Sequence, residues 1–203
     1  MTCYIFTGPC NYSLSELNEF DKTDYIIGVD QGAKYLASNN LHMHLAIGDF
    51  DSINDNDLDV INTHSEEIQT HPIKKDYTDT HLAILEAHKR GYEEIILYGG
   101  VGNRFDHSYA NMLLLRLGNI TIVNDTTKMY ILQPGTYTIK NEFPYISFFA
   151  LETVERLSLQ GFLYPLENIQ LTPYDPLCIS NQGSGRVTFG SGLLLVVHQR
   201  DTK

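Results

Sequence analysis

The stretches Tyr25-Ile-Ile-Gly-Val-Asp30 and His44-Leu-Ala-Ile-Gly-Asp-Phe-Asp-Ser52 decide the fold of this chain. Each begins as a short apolar run and ends in acidic residues, and a helical pattern lies between the two. Apolar runs that alternate with helical patterns are typical of strand–helix–strand units, in which the strands pair in parallel. We therefore predict an α/β fold in which Asp30 and Asp49 lie at the carboxyl ends of neighbouring strands.

The same alternation extends outward in both directions, up to about residue 124. It predicts further strands at CYIFT near the start, at EIQTH, at EIILYG ending at Gly99, and at TIVN before Asp125. Because sequential strands joined by helices pair in parallel, this segment is predicted to form a mainly parallel sheet.

Three helices are predicted from caps and apolar stripes. The first begins at a capping box, Ser13 to Glu16. The stripe residues are Leu82, Ala83 and Leu85 in the second helix, which stops at Gly91, and Met112, Leu113 and Leu117 in the third, which follows Phe105 and stops at Gly118.

Beyond Asp125 the pattern changes to short β-forming runs separated by turn signals about every ten residues. Examples are MYILQ, TYTI, YISFFAL and GLLLVVH. This predicts an all-β module and two domains, residues 1–125 and 126–203, with a β-rich extension of a single sheet as the alternative.

Composition excludes several classes of protein. The 203 residues include 25 Asp and Glu against 14 Lys and Arg, and the net charge of −11 argues against binding duplex nucleic acid or anionic lipid. Cys3, Cys10 and Cys178 have no C-x-x-C spacing, and the longest apolar run, Leu193 to Val197, is too short to span a bilayer. We predict a cytoplasmic protein with free thiols and no nucleic-acid or membrane partner.

Acidic residues cluster where strands are predicted to end. Asp30, Asp49 and Asp51 follow apolar runs, and Asp76 and Asp79 precede an apolar helix, where acidic residues also serve as helix caps. If these groups share a crevice, each like-charge pair at about 4 Å costs roughly 4 kcal/mol at an effective dielectric constant of about 20. A divalent cation would offset that repulsion, and ligands that are all oxygen favour Mg²⁺ over zinc.

A glycine-rich turn joins a predicted strand to a predicted helix. Its residues Gly99, Gly100 and Gly102 let backbone N–H groups approach an anion, and Arg104 adds a bidentate donor. No Gly-Lys-Ser/Thr follows, so this is not a Walker A loop. A plain tight turn, and a simple salt bridge between Arg104 and Asp106, remain alternatives.

Ser180 and Asn181 lie in a glycine-rich segment that is typical of a hairpin turn. They are also compact hydrogen-bonding groups at the end of a strand and would suit the recognition of a small polar ring. The residues alone leave both interpretations open.

Five blocks, in order along nearly the whole chain, resemble the thiamine pyrophosphokinase family. They are GVDQGAKYL, AIGDFDSI, KDYTDTHLAI, YGGVGNRFDHSYANMLLL and SNQGSGRVTF. The resemblance implies an α/β nucleotide-binding catalytic domain at 1–125 and a β-sandwich at 126–203 that binds thiamine and mediates dimerisation. It also implies a homodimer with active sites at the subunit interface, and transfer of pyrophosphate from ATP to thiamine, which gives thiamine diphosphate and AMP.

The resemblance also implies roles for individual residues. Metal-binding and catalytic roles fall to Asp49, Asp51 and Asp79, which would hold Mg²⁺, and a catalytic role falls to Arg104. ATP-binding roles fall to Asp30, Gln31, Asp76, Gly99, Gly100, Gly102 and Arg104, and thiamine-binding roles to Asp106, His107, Ser180 and Asn181. The chain has no tryptophan, so a wall around thiamine that relatives build from Trp would have to be built here from Tyr, Phe or apolar residues.

Two other functions are compatible with the same residues. The Asp-x-Asp at a strand end also suits a Mg²⁺-dependent phosphohydrolase or a nucleotide-sugar transferase, which would turn over without thiamine. A non-catalytic thiamine or nucleotide sensor would bind ligand without turnover.

Overall fold

The computed structural model describes residues 1–14, 20–72, 74, 76–102 and 104–201, which form two compact units, Met1–Asp125 and Thr126–Lys203. The capping box predicted at Ser13 to Glu16 lies partly outside the described residues, because Ser15 and Glu16 are not among them. Within these ranges, the helices are all too short or too polar to cross a bilayer.

The first unit is built on a parallel sheet in the strand order β4-β3-β2-β1-β5-β6. The strand bounds are β1 Thr2–Phe6, β2 Tyr25–Val29, β3 Met43–Gly48, β4 Ser65–Thr70, β5 Glu94–Tyr98 and β6 Asn119–Val123. The central strands are apolar on both faces, as a sheet covered on both sides requires. The prediction of a mainly parallel α/β fold is therefore confirmed.

Four α-helices in the described part of this unit connect the strands. Their bounds are α1 Gln31–Ser38, α2 Asp55–Thr63, α3 Asp79–Lys89 and α4 Phe105–Leu114, which continues as a 3-10 turn, Leu115–Leu117. The Asn54 side chain caps α2 by accepting from the Asp57 N–H, and the Thr78 side chain caps α3 by accepting from the His81 N–H. These side-chain caps fix where α2 and α3 begin, directly after the loops that follow β3 and β4.

The predicted buried stripes of α3 and α4 are partly wrong. Helix α3 buries Ala83 but leaves Leu85 40% exposed. Helix α4 and its 3-10 turn bury Asn111 and Leu115, whereas Leu113 is 53% exposed. Leu113 is two residues from Asn111, about 200° around the helix, so the two side chains lie on opposite faces. The apolar stripe of α4, including Leu117, which is 40% exposed, is thus a surface feature.

The second unit is all-β, and its strands pair antiparallel in two sheets. The strand bounds are β7 Thr127–Leu132, β8 Gly135–Ile139, β9 Tyr145–Ala150, β10 Val154–Gln160, β11 Leu166–Leu171, β12 Gly185–Phe189 and β13 Leu194–Gln199. In one sheet the order is β7-β13-β9, and in the other it is β11-β10-β12-β8. Phe148 and Val196 of the first sheet share one buried core with Leu157 and Val187 of the second. Two sheets around one core are a β-sandwich, as predicted.

A buried histidine cross-links the strands of this second unit. His198 is 3% exposed, its Nδ1 lies 2.7 Å from Asn141 Oδ1, and its Nε2 lies 3.2 Å from the Tyr130 hydroxyl. These contacts suit a neutral ring in which Nδ1–H donates to Asn141 and Nε2 accepts from Tyr130. Burial lowers the pKa of His198 to about 4, and the positive charge of Lys128 adds to this effect.

The His198 pKa predicts a loss of stability in mild acid. The unfolded state, with a pKa of about 6.5, takes up the proton before the folded state does, so stability is complete above that pH and falls as the pH drops towards 4. We expect a loss of about 1–2 kcal/mol between about pH 7.5 and pH 5. Urea unfolding of the wild type and His198→Gln at both pH values measures it, with the exposed His42→Gln as the control. The prediction is wrong if wild type and His198→Gln lose the same amount.

Candidate active site

A cavity of about 510 Å³ lies in the first unit, beyond the carboxyl ends of its strands. Strand β1 has β2 on one side and β5 on the other, so the chain changes direction across the sheet at this point. Open α/β sheets bind their ligands at such a switch point. The cavity is lined by Gly8, Pro9, Cys10, Gln31, Gly100, Gly102, Arg104, His107 and Ser108.

The glycines after β5 allow two loops to approach each other closely. Gly99 has a φ of 86°, and a Cβ there would lie 2.2 Å from the carbonyl oxygen of Thr7. A Cβ on Gly102 would lie 2.3 Å from Cγ of Pro9. Gly100 and Gly102 line the cavity, whereas Gly99 packs against the end of β1. Larger residues at these positions would push the loops apart and reshape the cavity.

Arg104 and Asp106 form an ion pair at the mouth of the cavity. Arg104 Nη2 donates to Asp106 Oδ2 over 2.7 Å, and the two side chains are 69% and 65% exposed. The hydrogen bond from Arg104 holds the pKa of Asp106 below its usual range. An exposed ion pair contributes little to stability, so the guanidinium is available to exchange its carboxylate partner for a phosphate group. His107 follows directly and also lines the cavity.

Asp49 and Asp51 lie on one tight turn after β3, in which the Asp51 N–H donates to Asp49 Oδ1 over 3.2 Å. Asp79 is the first residue of α3, and the next residue, Thr80, is hydrogen-bonded through its hydroxyl to the hydroxyl of Thr7 at the end of β1. Both threonines are buried. This buried contact fixes the start of α3 beside the carboxyl end of β1.

Asp76 is exposed in the loop before α3 and does not line the cavity. Asp30 lies at the end of β2, and Gln31, the first residue of α1, lines the cavity. The predicted nucleotide residues therefore divide into those around the cavity and those on the neighbouring loops along the same edge of the sheet.

The donor set of these loops fits magnesium. Asp49, Asp51 and Asp79 offer carboxylate oxygens only, which are the ligands of Mg²⁺ rather than of zinc. Within the described ranges, His, Cys, Asp and Glu side chains do not converge in groups of three that would enclose a metal by themselves. Mg²⁺ usually keeps several waters and uses one or two carboxylates together with substrate phosphates, so an open set of this kind suits it.

Sequence reasoning missed Gly8, Pro9, Cys10 and Ser108 as lining residues. The first three form the turn after β1, and the Gly-Pro pair at a strand end was a usable signal. The Cys10 thiol lies 3.6 Å from the carbonyl oxygen of Gln31, and burial raises its pKa, so it is a neutral wall of the cavity. Nothing in the local sequence distinguishes Ser108, whose hydroxyl accepts from the Gly102 N–H over 3.0 Å.

The second unit contains a smaller cavity of about 200 Å³. It is lined by Tyr164, Leu166, Leu177, Cys178, Ile179 and Asn181. Asn181 is 2% exposed, and its side chain is occupied by the backbone: Oδ1 accepts from the Tyr164 and Gln182 N–H groups, and Nδ2 donates to the Tyr164 carbonyl oxygen. Ser180 is exposed and has a left-handed φ of 56°, which is rare for a residue with a side chain.

Comparison with known proteins agrees with the fold. The family model for "Thiamin pyrophosphokinase, catalytic domain" matches residues 17–129, and the model for "Thiamin pyrophosphokinase, vitamin B1 binding domain" matches residues 136–194. The thiamine pyrophosphokinase of Bacillus subtilis is 31% identical over 205 residues, which cover 96% of each chain.

Solved structures give the same result. The crystal structure of the Bacillus subtilis enzyme has a TM-score of 0.88 at 31% identity and covers 99% of both chains. A thiamin pyrophosphokinase family protein from Enterococcus faecalis has a TM-score of 0.86 at 26% identity, also over 99% of both chains. Since the family models match both units and the relative spans nearly the whole chain, this protein belongs to the thiamine pyrophosphokinase family.

Proposed function

We propose that this chain carries out its family's reaction, the transfer of pyrophosphate from ATP to thiamine, with ATP bound in the cavity of the first unit. The observation that carries the proposal is the position of that cavity, at the switch point of the sheet between a glycine loop and an arginine. Gln31, Gly100 and Gly102 would contact the nucleotide directly. Gly99 would shape the loop, and Asp30 and Asp76 would support the site from neighbouring loops.

We assign Asp49, Asp51 and Asp79 as the residues that hold Mg²⁺. When bound, Mg²⁺ would neutralise charge on the triphosphate and orient it. Asp49 and Asp51 lie on the turn after β3, and Asp79 is the first residue of α3, so all three follow strands at the carboxyl edge of the sheet. Their part in the reaction is to fix the position of the phosphate chain, and positioning supplies most of the rate in phosphoryl transfer.

The reaction balances as an in-line displacement. The primary hydroxyl of thiamine attacks the β-phosphorus of ATP, the bond from that phosphorus to the oxygen bridging to the α-phosphate breaks, and AMP leaves with that oxygen. Arg104 would exchange Asp106 for the transferred group and stabilise its charge. A loose transition state needs no strong base to accept the hydroxyl proton.

For thiamine we propose direct contacts from Asp106, His107 and Ser180, and an indirect role for Asn181. Carboxylates near the site suit the fixed positive charge of the thiazolium ring. The exposed Ser180 hydroxyl would bind the substrate directly. Asn181 would act by shaping the backbone of Tyr164, because its side chain is already occupied there.

Because Ser180 would contact thiamine and Asn181 would support the backbone, substitutions at the two positions should have different effects on kinetics and stability. Ser180→Ala should raise the KM for thiamine more than the KM for ATP and leave the unfolding midpoint unchanged. Asn181→Ala should destabilise the fold by about 2–4 kcal/mol, because it removes three hydrogen bonds between a buried side chain and the backbone of Tyr164 and Gln182. Steady-state kinetics and thermal unfolding of the two variants test it. Equal changes in both KM values for Ser180→Ala would contradict the contact with thiamine.

We also propose a cytoplasmic homodimer whose active sites lie at the subunit interface. Phe105, Tyr109 and Leu113 lie four residues apart on one face of α4 and are 80%, 50% and 53% exposed. Apolar stripes of this kind commonly pack against another subunit. The free thiols of the chain are compatible with a reducing compartment, which supports the cytoplasmic assignment.

The dimer is tested by its mass in solution. Light scattering should give twice the mass of one chain, and the mass of one chain would exclude the dimer.

The decisive experiment identifies the products. Purified protein is incubated with ATP, Mg²⁺ and thiamine, and a matched reaction omits thiamine. We expect AMP and thiamine diphosphate in equal amounts, and neither product without thiamine. ADP with thiamine monophosphate would indicate a simple kinase, free phosphate without thiamine would indicate a hydrolase, and binding without turnover would indicate a sensor.

A further inference from the structure

We propose that Asp30 is a positioning residue, whose carboxylate builds the acidic turn that carries Asp49 and Asp51 instead of binding the nucleotide or the metal itself. The inference rests on the proposed function, because it assigns how one residue of that site acts. It concerns the turn Gly48–Ser52, called the acidic turn below.

Asp30 forms one hydrogen bond with strand β3 and one with the acidic turn. Its N–H donates to the carbonyl oxygen of Ile47 over 3.1 Å, which continues the ladder between β2 and β3 by one residue. Its Oδ1 accepts from the N–H of Phe50 over 3.3 Å. Asp30 therefore contacts the chain on both sides of Gly48 and Asp49, and its carboxylate lies inside the acidic turn.

Gly48 leaves the space that this carboxylate occupies. A Cβ on Gly48 would lie 1.9 Å from Asp30 Oδ1 and 2.7 Å from Asp30 Cγ. Neither distance is compatible with van der Waals contact, so the glycine and the carboxylate fit together as a pair. The φ of Gly48 is not left-handed, so a need for backbone freedom does not explain why position 48 is a glycine. The space that the Asp30 carboxylate requires does explain it.

The acidic turn is strained and needs such support. Phe50 has a φ of 53°, a left-handed value that is unusual for a bulky residue, and its ring is 7% exposed in the core of the first unit. Asp30 itself has a φ of 45°. Strained backbone persists only where surrounding contacts hold it. The Asp30 carboxylate holds the Phe50 N–H, and Gln31 Nε2 donates to Ser52 Oγ over 2.9 Å.

The geometry implies that Asp30 acts through the size of its side chain and its hydrogen-bond acceptor oxygen, and not through its negative charge. A direct ligand of Mg²⁺ or a direct contact to ATP would need the negative charge. A support of the acidic turn needs only an oxygen of the same reach, which asparagine also has. The carboxamide of Asp30→Asn should therefore preserve function, whereas Asp30→Ala should not.

The experiment compares Asp30→Asn, Asp30→Ala, Gly48→Ala and the double variant Asp30→Ala/Gly48→Ala, with Asp59→Asn on α2 as the control. Calorimetry measures binding of the non-transferable analogue α,β-methylene-ATP with Mg²⁺, and steady-state assays measure kcat. We expect Asp30→Asn to stay within about fivefold of the wild type in both. Asp30→Ala and Gly48→Ala should each lose about 50-fold or more in kcat and bind the analogue more weakly. The double variant should be no worse than the poorer single one, because both changes disrupt the same contact.

Two results would overturn the inference. If Asp30→Asn loses as much as Asp30→Ala, the charge itself is required and Asp30 is a direct ligand. If Asp30→Ala remains within fivefold of the wild type, the turn does not depend on it. Failure of the wild type to form AMP with thiamine diphosphate would refute the proposed function instead. The non-additivity of Asp30→Ala and Gly48→Ala in the thermal midpoint would then still test the contact.

Discussion

Asp49→Asn and Asp51→Asn should each lower kcat by about 10²–10³-fold while the protein remains folded. Both residues lie on the acidic turn, and the structure uses their carboxylates little for packing: Asp51 is exposed, and Asp49 is half-buried. The asparagine at position 49 still accepts the hydrogen bond from the Asp51 N–H. Removal of a negative charge from a like-charged turn also relieves repulsion, so the thermal midpoint should stay the same or rise.

The chain supplies a matched control for this prediction. Asp55, Asp57 and Asp59 repeat the same Asp-x-Asp spacing on α2, where Asp55 and Asp57 favour the helix terminus and Asp57 also pairs with Lys34. Asp55→Asn and Asp59→Asn should leave kcat unchanged. The assignment to metal binding is wrong if Asp49→Asn or Asp51→Asn lowers the thermal midpoint by several degrees and keeps its activity.

Much of the fold of the first unit could be predicted from local patterns in the sequence. Strands β2, β3 and β5 each combine a short apolar run with an acidic or glycine residue at the carboxyl end, and the helical patterns between the runs predict their parallel pairing. The side-chain caps of α2 and α3 are also local, since each involves residues three positions apart, although the Asn54 cap of α2 was not among the predicted ones. Interactions of this short range are fully visible in the sequence.

Features that depend on distant residues were not visible. The apolar stripe of α4 indicated a helix, but which face packs on the sheet depends on long-range packing, and Leu113 is exposed as a result. Asn181 was a candidate for direct substrate binding, yet its partner is the backbone of Tyr164, seventeen residues away. The pairing of Asp30 with Gly48 also spans two strands. A periodic pattern identifies an element, while its partners follow only from the tertiary structure.

The same limit applies to the cavity. Gly100 and Gly102 were predicted from their position after a strand, and Gln31 from the family resemblance; all three line the cavity together with residues of the turn after β1. That turn was not predicted as part of the site, because a Gly-Pro pair signals a turn at the strand end but does not indicate what the turn contacts. It contributes by packing against Gly102.

Arg104→Ala should lower kcat by about 10²–10³-fold and change the thermal midpoint by no more than about 2 °C. The side chain is 69% exposed, so the fold does not rely on it, and its ion pair with the similarly exposed Asp106 contributes little to stability. Arg104→Lys should recover only part of the rate, because lysine restores the charge but lacks the planar fork that binds two phosphate oxygens at once.

Asp106→Asn separates the ion pair from the chemistry. It removes the partner of Arg104 and leaves the guanidinium in place at the cavity. If Arg104 acts on the transferred phosphates, Asp106→Asn should keep most of kcat and raise the KM for thiamine, whereas Arg104→Ala should reduce kcat and weaken ATP binding. A loss of kcat in Asp106→Asn as large as in Arg104→Ala would show that the pair serves to hold the loop in place. Arg104 would then have no direct part in stabilising the transition state.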